Sequence, residues 1–172
     1  MKKLRVLLVD DEIMIREGFK RLFDWEAHDC EVVGEAADGM EALAQIDALL
    51  PDIAIMDINI PIMNGLKVIQ LSRMKHPDIA FVIVSGYDDF SYCREALRLQ
   101  ITDYILKPVN YEEFGSCIDN LKISLFRRRG GGAAYRRHDP LYADPSGRGD
   151  QPEPAGGGVP SQSPVHQPAV QK

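Results

Sequence analysis

Three apolar runs stand out along the chain: Leu4–Val9, Ile53–Met56 and residues 79–84. They are nearly continuous rather than alternating, and rich in β-branched side chains. A strand covered on both faces needs apolar residues pointing both ways, so these runs predict strands of a parallel sheet. Residues 31–36 and Asp103–Leu106 are weaker strand candidates. Segments of helical period lie between them. Ile15, Phe19, Leu22 and Phe23 share one face after the first strand, and Leu43, Ile46 and Leu50 share one after the second. Leu66 and Ile69 follow the third strand, Phe90, Cys93 and Leu97 the fourth, and Phe114, Ile118, Leu121 and Leu125 the fifth. Five strand–helix repeats in alternation predict a doubly wound α/β domain. The punctuation agrees: Asp38-Gly39 and Asn64-Gly65 precede the second and third helices, and Pro51 and Pro77 each separate a helix from the next strand.

The pattern stops near Arg127. Residues 1–126 carry 13 Lys and Arg against 22 Asp and Glu, a balance of −9, while residues 127–172 carry 7 against 4, a balance of +3. An acidic body repels phosphates, which argues against nucleic-acid binding by residues 1–126. The last 46 residues hold 8 of the 14 glycines and 7 of the 11 prolines, with no Ile, Phe, Met or Trp. Such a segment buries too little apolar surface to offset the entropy of ordering, so residues 127–172 are expected to be a disordered tail behind a domain of residues 1–126. Cys30, Cys93 and Cys117 are odd in number and lack C-x-x-C spacing, which favours reduced thiols over disulfides or zinc. The apolar stretch at the N-terminus ends at Val9 and meets three acids, too soon for a signal peptide. No apolar run approaches the ~18 residues of a membrane span. A cytoplasmic protein is expected.

In an open α/β sheet, ligands bind beyond the carboxyl ends of the strands, where the strand order reverses. The first strand ends in Asp10-Asp11-Glu12, the third in Asp57, the fourth in Ser85-Gly86 and the fifth in Lys107-Pro108. In a sheet of order 2-1-3-4-5, strands one and three are neighbours. That order brings Asp10, Asp11 and Asp57 into one crevice flanked by Ser85 and Lys107. Crowded carboxylates repel one another, and Mg²⁺, which takes oxygen ligands in octahedral geometry, relieves the repulsion. Asp11 and Asp57 are candidate direct ligands, Asp10 a ligand through water, and the Asn59 backbone carbonyl a third protein ligand. An ionised Asp is also a nucleophile towards phosphorus. Phosphoryl transfer needs mainly positioning and charge neutralisation, which Mg²⁺ and Lys107 supply, while the Ser85 hydroxyl donates to a phosphoryl oxygen. Taken singly, each residue has an ordinary explanation: helix-start acids at 10–12, a loop acid at 57, a turn serine at 85, a solvated lysine at 107, a packed Tyr104. Four strand ends carrying the required acid pair, acid, hydroxyl and amine in order favour the chemical reading.

On Val9-Asp10-Asp11-Glu12, Met56-Asp57-Ile58-Asn59-Ile60-Pro61-Ile62-Met63-Asn64-Gly65, Val84-Ser85-Gly86 and Asp103-Tyr104-Ile105-Leu106-Lys107-Pro108, the chain resembles the receiver domains of two-component response regulators over about residues 3–126. Ile60 departs from the Met that many relatives carry there. The resemblance implies a flavodoxin-like fold with five parallel strands in the order 2-1-3-4-5 and five helices, and a cis bond before Pro108. It makes Asp57 the phosphorylation site, Asp10 and Asp11 the acidic pair, Ser85 the switch hydroxyl, Tyr104 the switch aromatic and Lys107 the phosphate-binding lysine. It implies a sensor histidine kinase as partner, and a phosphorylation-dependent change at the surface of the fourth helix, fifth strand and fifth helix, through which many relatives dimerise. A signalling domain rather than a turnover enzyme is expected.

Trp25 and Ser85-Gly86-Tyr87-Asp88-Asp89-Phe90, with Arg94-Glu95-Ala96-Leu97, look like regulators that carry an AraC-type DNA-binding domain. Residues 127–172 show no helix-turn-helix periodicity, so that output is expected to be missing here, through truncation, a shifted reading frame or a native tail. Tyr87 and Asn59 are candidates to flank the path of the water that hydrolyses the phospho-aspartate. An output-less receiver acting as an interaction module is the alternative reading. A phosphatase of the haloacid-dehalogenase type is disfavoured, because its first strand would end in Asp-x-Asp. A Walker-type nucleotide site lacks its G-x-x-x-x-G-K.

Overall fold

The computed structural model describes residues 2–86 and 90–130, with the side chain of Phe90 left out. Strands and helices alternate: β1 (Leu4–Val9), α1 (Ile13–Leu22), β2 (Cys30–Ala36), α2 (Gly39–Leu49), β3 (Ile53–Met56), α3 (Gly65–Lys75), β4 (Ala80–Ser85), α4 (Phe90–Arg98), β5 (Asp103–Leu106) and α5 (Tyr111–Gly130). The five strands form one sheet in the order β2-β1-β3-β4-β5. Every neighbouring pair is parallel. This is the flavodoxin-like arrangement expected from the sequence.

Two cores explain why the strand runs are continuous. Successive side chains of a strand point to opposite faces. Leu4, Val6 and Leu8 of β1, with Ile53 and Ile55 of β3 and Val82 and Val84 of β4, pack towards Phe19 of α1 and Phe114, Ile118, Leu121 and Leu125 of α5. The alternate residues Leu7, Val9, Ala54, Met56, Phe81 and Ile83 pack towards Ala42 and Ile46 of α2, Leu66 and Ile69 of α3 and Ala96 of α4. Helix starts are capped where the turn signals fall: the Asp38 carboxylate accepts from Glu41 N at 2.8 Å, and the Asn64 side chain from Lys67 N at 2.9 Å.

Three leucines assigned to buried helix faces are instead exposed: Leu22 at 70%, Leu50 at 55% and Leu97 at 75%. The buried residues here are Phe19 of α1 and Phe23, its C-cap, which leaves Leu22 towards solvent. Leu50 is the C-cap of α2, with φ of 47° in the left-handed region, so its side chain has left the helical face. Tyr92 and Ala96 of α4 and Leu99 just beyond it pack inward, and Leu97 stands about 100° round the helix from Ala96. Helix α5 runs to Gly130, so residues 127–130 are helical rather than the start of a tail. Arginines favour a last helical turn through the dipole, and Arg129 pairs with Asp52 at the base of β3. Tyr87 and residues 131–172, with the expected disorder and truncation, lie outside the described residues.

Candidate functional site

The register of β1 on β3 assembles the acids. Val9 pairs with Met56, and Asp57 N donates to Val9 O at 2.9 Å. The residues that follow, Asp10 and Asp57, are therefore side by side, and both are buried. Ser85 closes β4 on the other side of β3 and is fully buried. Lys107 follows β5, where its N–H donates to Ser85 O at 2.9 Å. Two strand spacings of about 4.8 Å separate β5 from β3, a gap that a lysine stem can cross and a shorter side chain cannot. Its ammonium reaches Asp10 Oδ2 at 2.8 Å, Asp57 Oδ2 at 3.1 Å and Glu12 Oε1 at 3.4 Å.

The carboxylates of Asp10, Asp11, Glu12 and Asp57 offer oxygens within 4.8 Å of one another. Burial raises the pKa of Asp10 above the ordinary carboxylate value, against the opposing pull of Lys107. Burial and then repulsion by Asp10 raise that of Asp57. Burial works against the charge on Lys107, but hydrogen bonds and attraction from Asp10 and Asp57 outweigh it and its pKa rises. Crowded, partly desolvated carboxylates, offering oxygen ligands alone, are the donor set that a hard divalent cation fits. Asn59 stands at the exposed turn beyond Asp57, donating from its N–H to Asp57 Oδ1 at 3.4 Å. Tyr104 lies on β5, half-buried, against the core on the α2–α3–α4 side rather than in the acid pocket. The Lys107–Pro108 bond is cis.

The structure thus brings together Asp10, Asp11, Asp57 and Lys107, and sets Ser85 at the adjacent strand end. Two neighbours were not singled out from the sequence. Glu12 reaches the same cluster; its place beside Asp10-Asp11 was the available signal, but an exposed acid at a helix start reads equally as a dipole partner. Arg16, one turn into α1, donates to the Asp10 backbone carbonyl at 2.5 Å, and nothing in its spacing announces that contact.

Residues 6–119 match the family described as response regulator receiver domain. The chain belongs to that family. It is the receiver domain of a two-component response regulator, a class of signalling domain rather than turnover enzyme. The receiver is 37% identical over 124 residues to an uncharacterized response regulatory protein of Staphylococcus epidermidis, covering 72% of this chain and 49% of that protein. It is 34% identical over 125 residues to the transcriptional regulatory protein HptR of Staphylococcus aureus, covering 73% and 49%. To YesN of Bacillus subtilis, an uncharacterized transcriptional regulatory protein, it is 32% identical over 124 residues, covering 72% and 34%. The receiver therefore spans half the length of such relatives or less. Among solved structures, the REC domain of AraT, a response regulator from Geobacillus stearothermophilus, superposes with a TM-score of 0.70 at 39% identity, covering 75% of this chain and 99% of that one. No helix among the described residues is long and apolar enough to cross a membrane.

Proposed function

We propose that the receiver accepts a phosphoryl group on Asp57 from the phospho-histidine of a sensor kinase, and that this changes the partner preference of the surface formed by α4, β5 and α5. The observation that carries the reading is the bridge of Lys107 between the two buried carboxylates, at 2.8 Å to Asp10 and 3.1 Å to Asp57. A structural lysine has no need of two buried acids, whereas a phosphoryl acceptor needs a fixed cation beside its nucleophile.

Asp10, Asp11, Asp57 and the Asn59 carbonyl would hold Mg²⁺, with Glu12 within reach. When bound, the cation supplies charge neutralisation at the phosphoryl oxygens. The chain's own groups do the rest. Lys107 keeps Asp57 ionised and aimed. An Asp57 oxygen attacks phosphorus, the P–N bond to the kinase histidine breaks, and its electron pair returns to the imidazole. The Ser85 hydroxyl then donates to the new phosphoryl group, which brings about two negative charges. Tyr104 turns towards the space that Ser85 leaves. Both states exist beforehand and phosphorylation shifts their populations, with homodimerisation through α4–β5–α5 as a readout. In a longer protein the output is regulation of transcription, since HptR and YesN are described as transcriptional regulatory proteins and are two to three times the matched length.

The test is transfer from acetyl phosphate, or from a histidine kinase, followed by intact mass. The wild-type receiver gains one phosphoryl group in the presence of Mg²⁺, and Asp57→Asn gains none. Equal labelling of the variant rules the assignment out.

A further inference from the structure

We propose that Arg16 is a positioning residue for the cation site: it holds the peptide joining Asp10 to Asp11 so that the Asp11 carboxylate faces the pocket. The inference rests on the metal-binding reading of that pocket given above.

Asp10 is held at every polar atom. Its N–H donates to Ala36 O at 3.1 Å. Its Oδ1 accepts from Glu12 N at 2.9 Å and its Oδ2 from Lys107 at 2.8 Å. Its carbonyl accepts from Arg16 Nη1 at 2.5 Å. Asp11 differs: it is exposed, and among the described residues its carboxylate has no hydrogen bond or ion pair. Its direction is therefore set by the backbone on either side. The preceding peptide presents its oxygen to Arg16.

Arg16 is itself fixed. Its Nε pairs with Glu35 Oε1 at 3.3 Å, and only 14% of the side chain is exposed. Glu35 is steadied in turn by Lys20 at 3.0 Å. Arg16 also lines, with Asp10 and Asp57, one small cavity of about 10 Å³ among Leu8, Phe19 and Val84. A planar fork serves Glu35 and the Asp10 carbonyl together, which a single ammonium does less well. The contact ties the first turn of α1 to the ends of β1 and β2, and so ties the cation pocket to the helix beside it.

Charge and positioning predict opposite signs. If Arg16 acted only as a nearby positive charge, its loss would tighten cation binding. A positioning role predicts weaker binding, by about tenfold, the lower end of what outer-shell partners contribute. The experiment is calorimetric titration of the full chain with MgCl₂, alongside thermal melts, for the wild type, Arg16→Gln and Arg16→Lys. Arg16→Gln is expected to bind Mg²⁺ about tenfold more weakly while still melting cooperatively. Should that variant not fold, Arg16→Lys, which preserves charge, is expected to weaken binding several-fold. Wild-type or tighter affinity in the folded variant overturns the positioning role and leaves the metal site standing. No Mg²⁺ binding by the wild type overturns the underlying reading itself.

Discussion

Gly65 opens α3, and a Cβ added there would lie 2.1 Å from the carbonyl oxygen of Asp57 and 2.9 Å from Met56 Cγ. Ordinary contact begins at 3.4 Å, so Gly65→Ala is about 1.3 Å short of room. The neighbour is backbone, not the flexible end of a side chain. Gly65 N also donates to Ile58 O at 2.8 Å, which keeps the helix start and the Asp57 turn from parting. Relief must come from moving the backbone that carries Asp57. Overpacking of this kind costs roughly 1–3 kcal/mol. Alanine's better helix propensity returns at most about 1 kcal/mol. A fall in Tm of roughly 5–10 °C follows for a domain of this size. The phosphorylation rate should fall further, by on the order of 100-fold, because an error of about 1 Å in a reacting group is enough. Differential scanning fluorimetry and a time course of acetyl phosphate labelling read the two effects separately. Gly130→Ala is the control, since a Cβ there meets nothing within 4 Å, and its Tm should not fall. A Gly65→Ala receiver with wild-type melting and wild-type labelling refutes the claim that this contact places Asp57.

Two further outcomes are expected. The Arg73 guanidinium donates to the carbonyls of Pro77, Ile79, Leu99 and Gln100 at 2.7–3.3 Å and lies over the Phe81 ring at 5.1 Å. Two of these bonds, to Ile79 and Leu99, are partly buried, so Arg73→Met should cost about 2–4 kcal/mol in urea unfolding; a change below 0.5 kcal/mol, the size of an ordinary surface substitution, would dismiss this latch. The second concerns pH without divalent cations. Asp10 and Asp57 have pKa values raised in the fold, so their contribution to stability is full below the ordinary carboxylate value of 3.8 and is lost as pH rises through the raised values. The stability of Asp57→Asn minus that of the wild type should therefore grow from pH 4 towards pH 7, and saturating Mg²⁺ should shrink it; a flat difference across that range contradicts the assignment of buried, repelling carboxylates.

Much of this receiver is legible in the order of its residues, because hydrophobic period is a local property of backbone geometry. Apolar residues at every position of residues 53–56 allow a doubly covered strand, and β3 is one. Asp38 and Asn64 announce helix starts because a cap needs only its own next three residues. The acids and the lysine at strand ends can be picked out for the same reason. Period alone does not choose between neighbours, however. Leu22 and Phe23, or Ala96 and Leu97, are equally apolar candidates, and only packing against the sheet decides which faces inward. At the end of α5, Arg129 meets Asp52, 77 positions earlier, a contact that no local pattern announces. Arg16 and Arg73 look like surface cations until the carbonyls they serve come from other elements. Gly65 reads as a turn residue, whereas its larger constraint is the space that Asp57 leaves it. Strand order is what brings Asp10 and Asp57 within 3.1 Å of the Lys107 ammonium, and that order is a property of the closed fold, set by long-range burial rather than by any local stretch of chain.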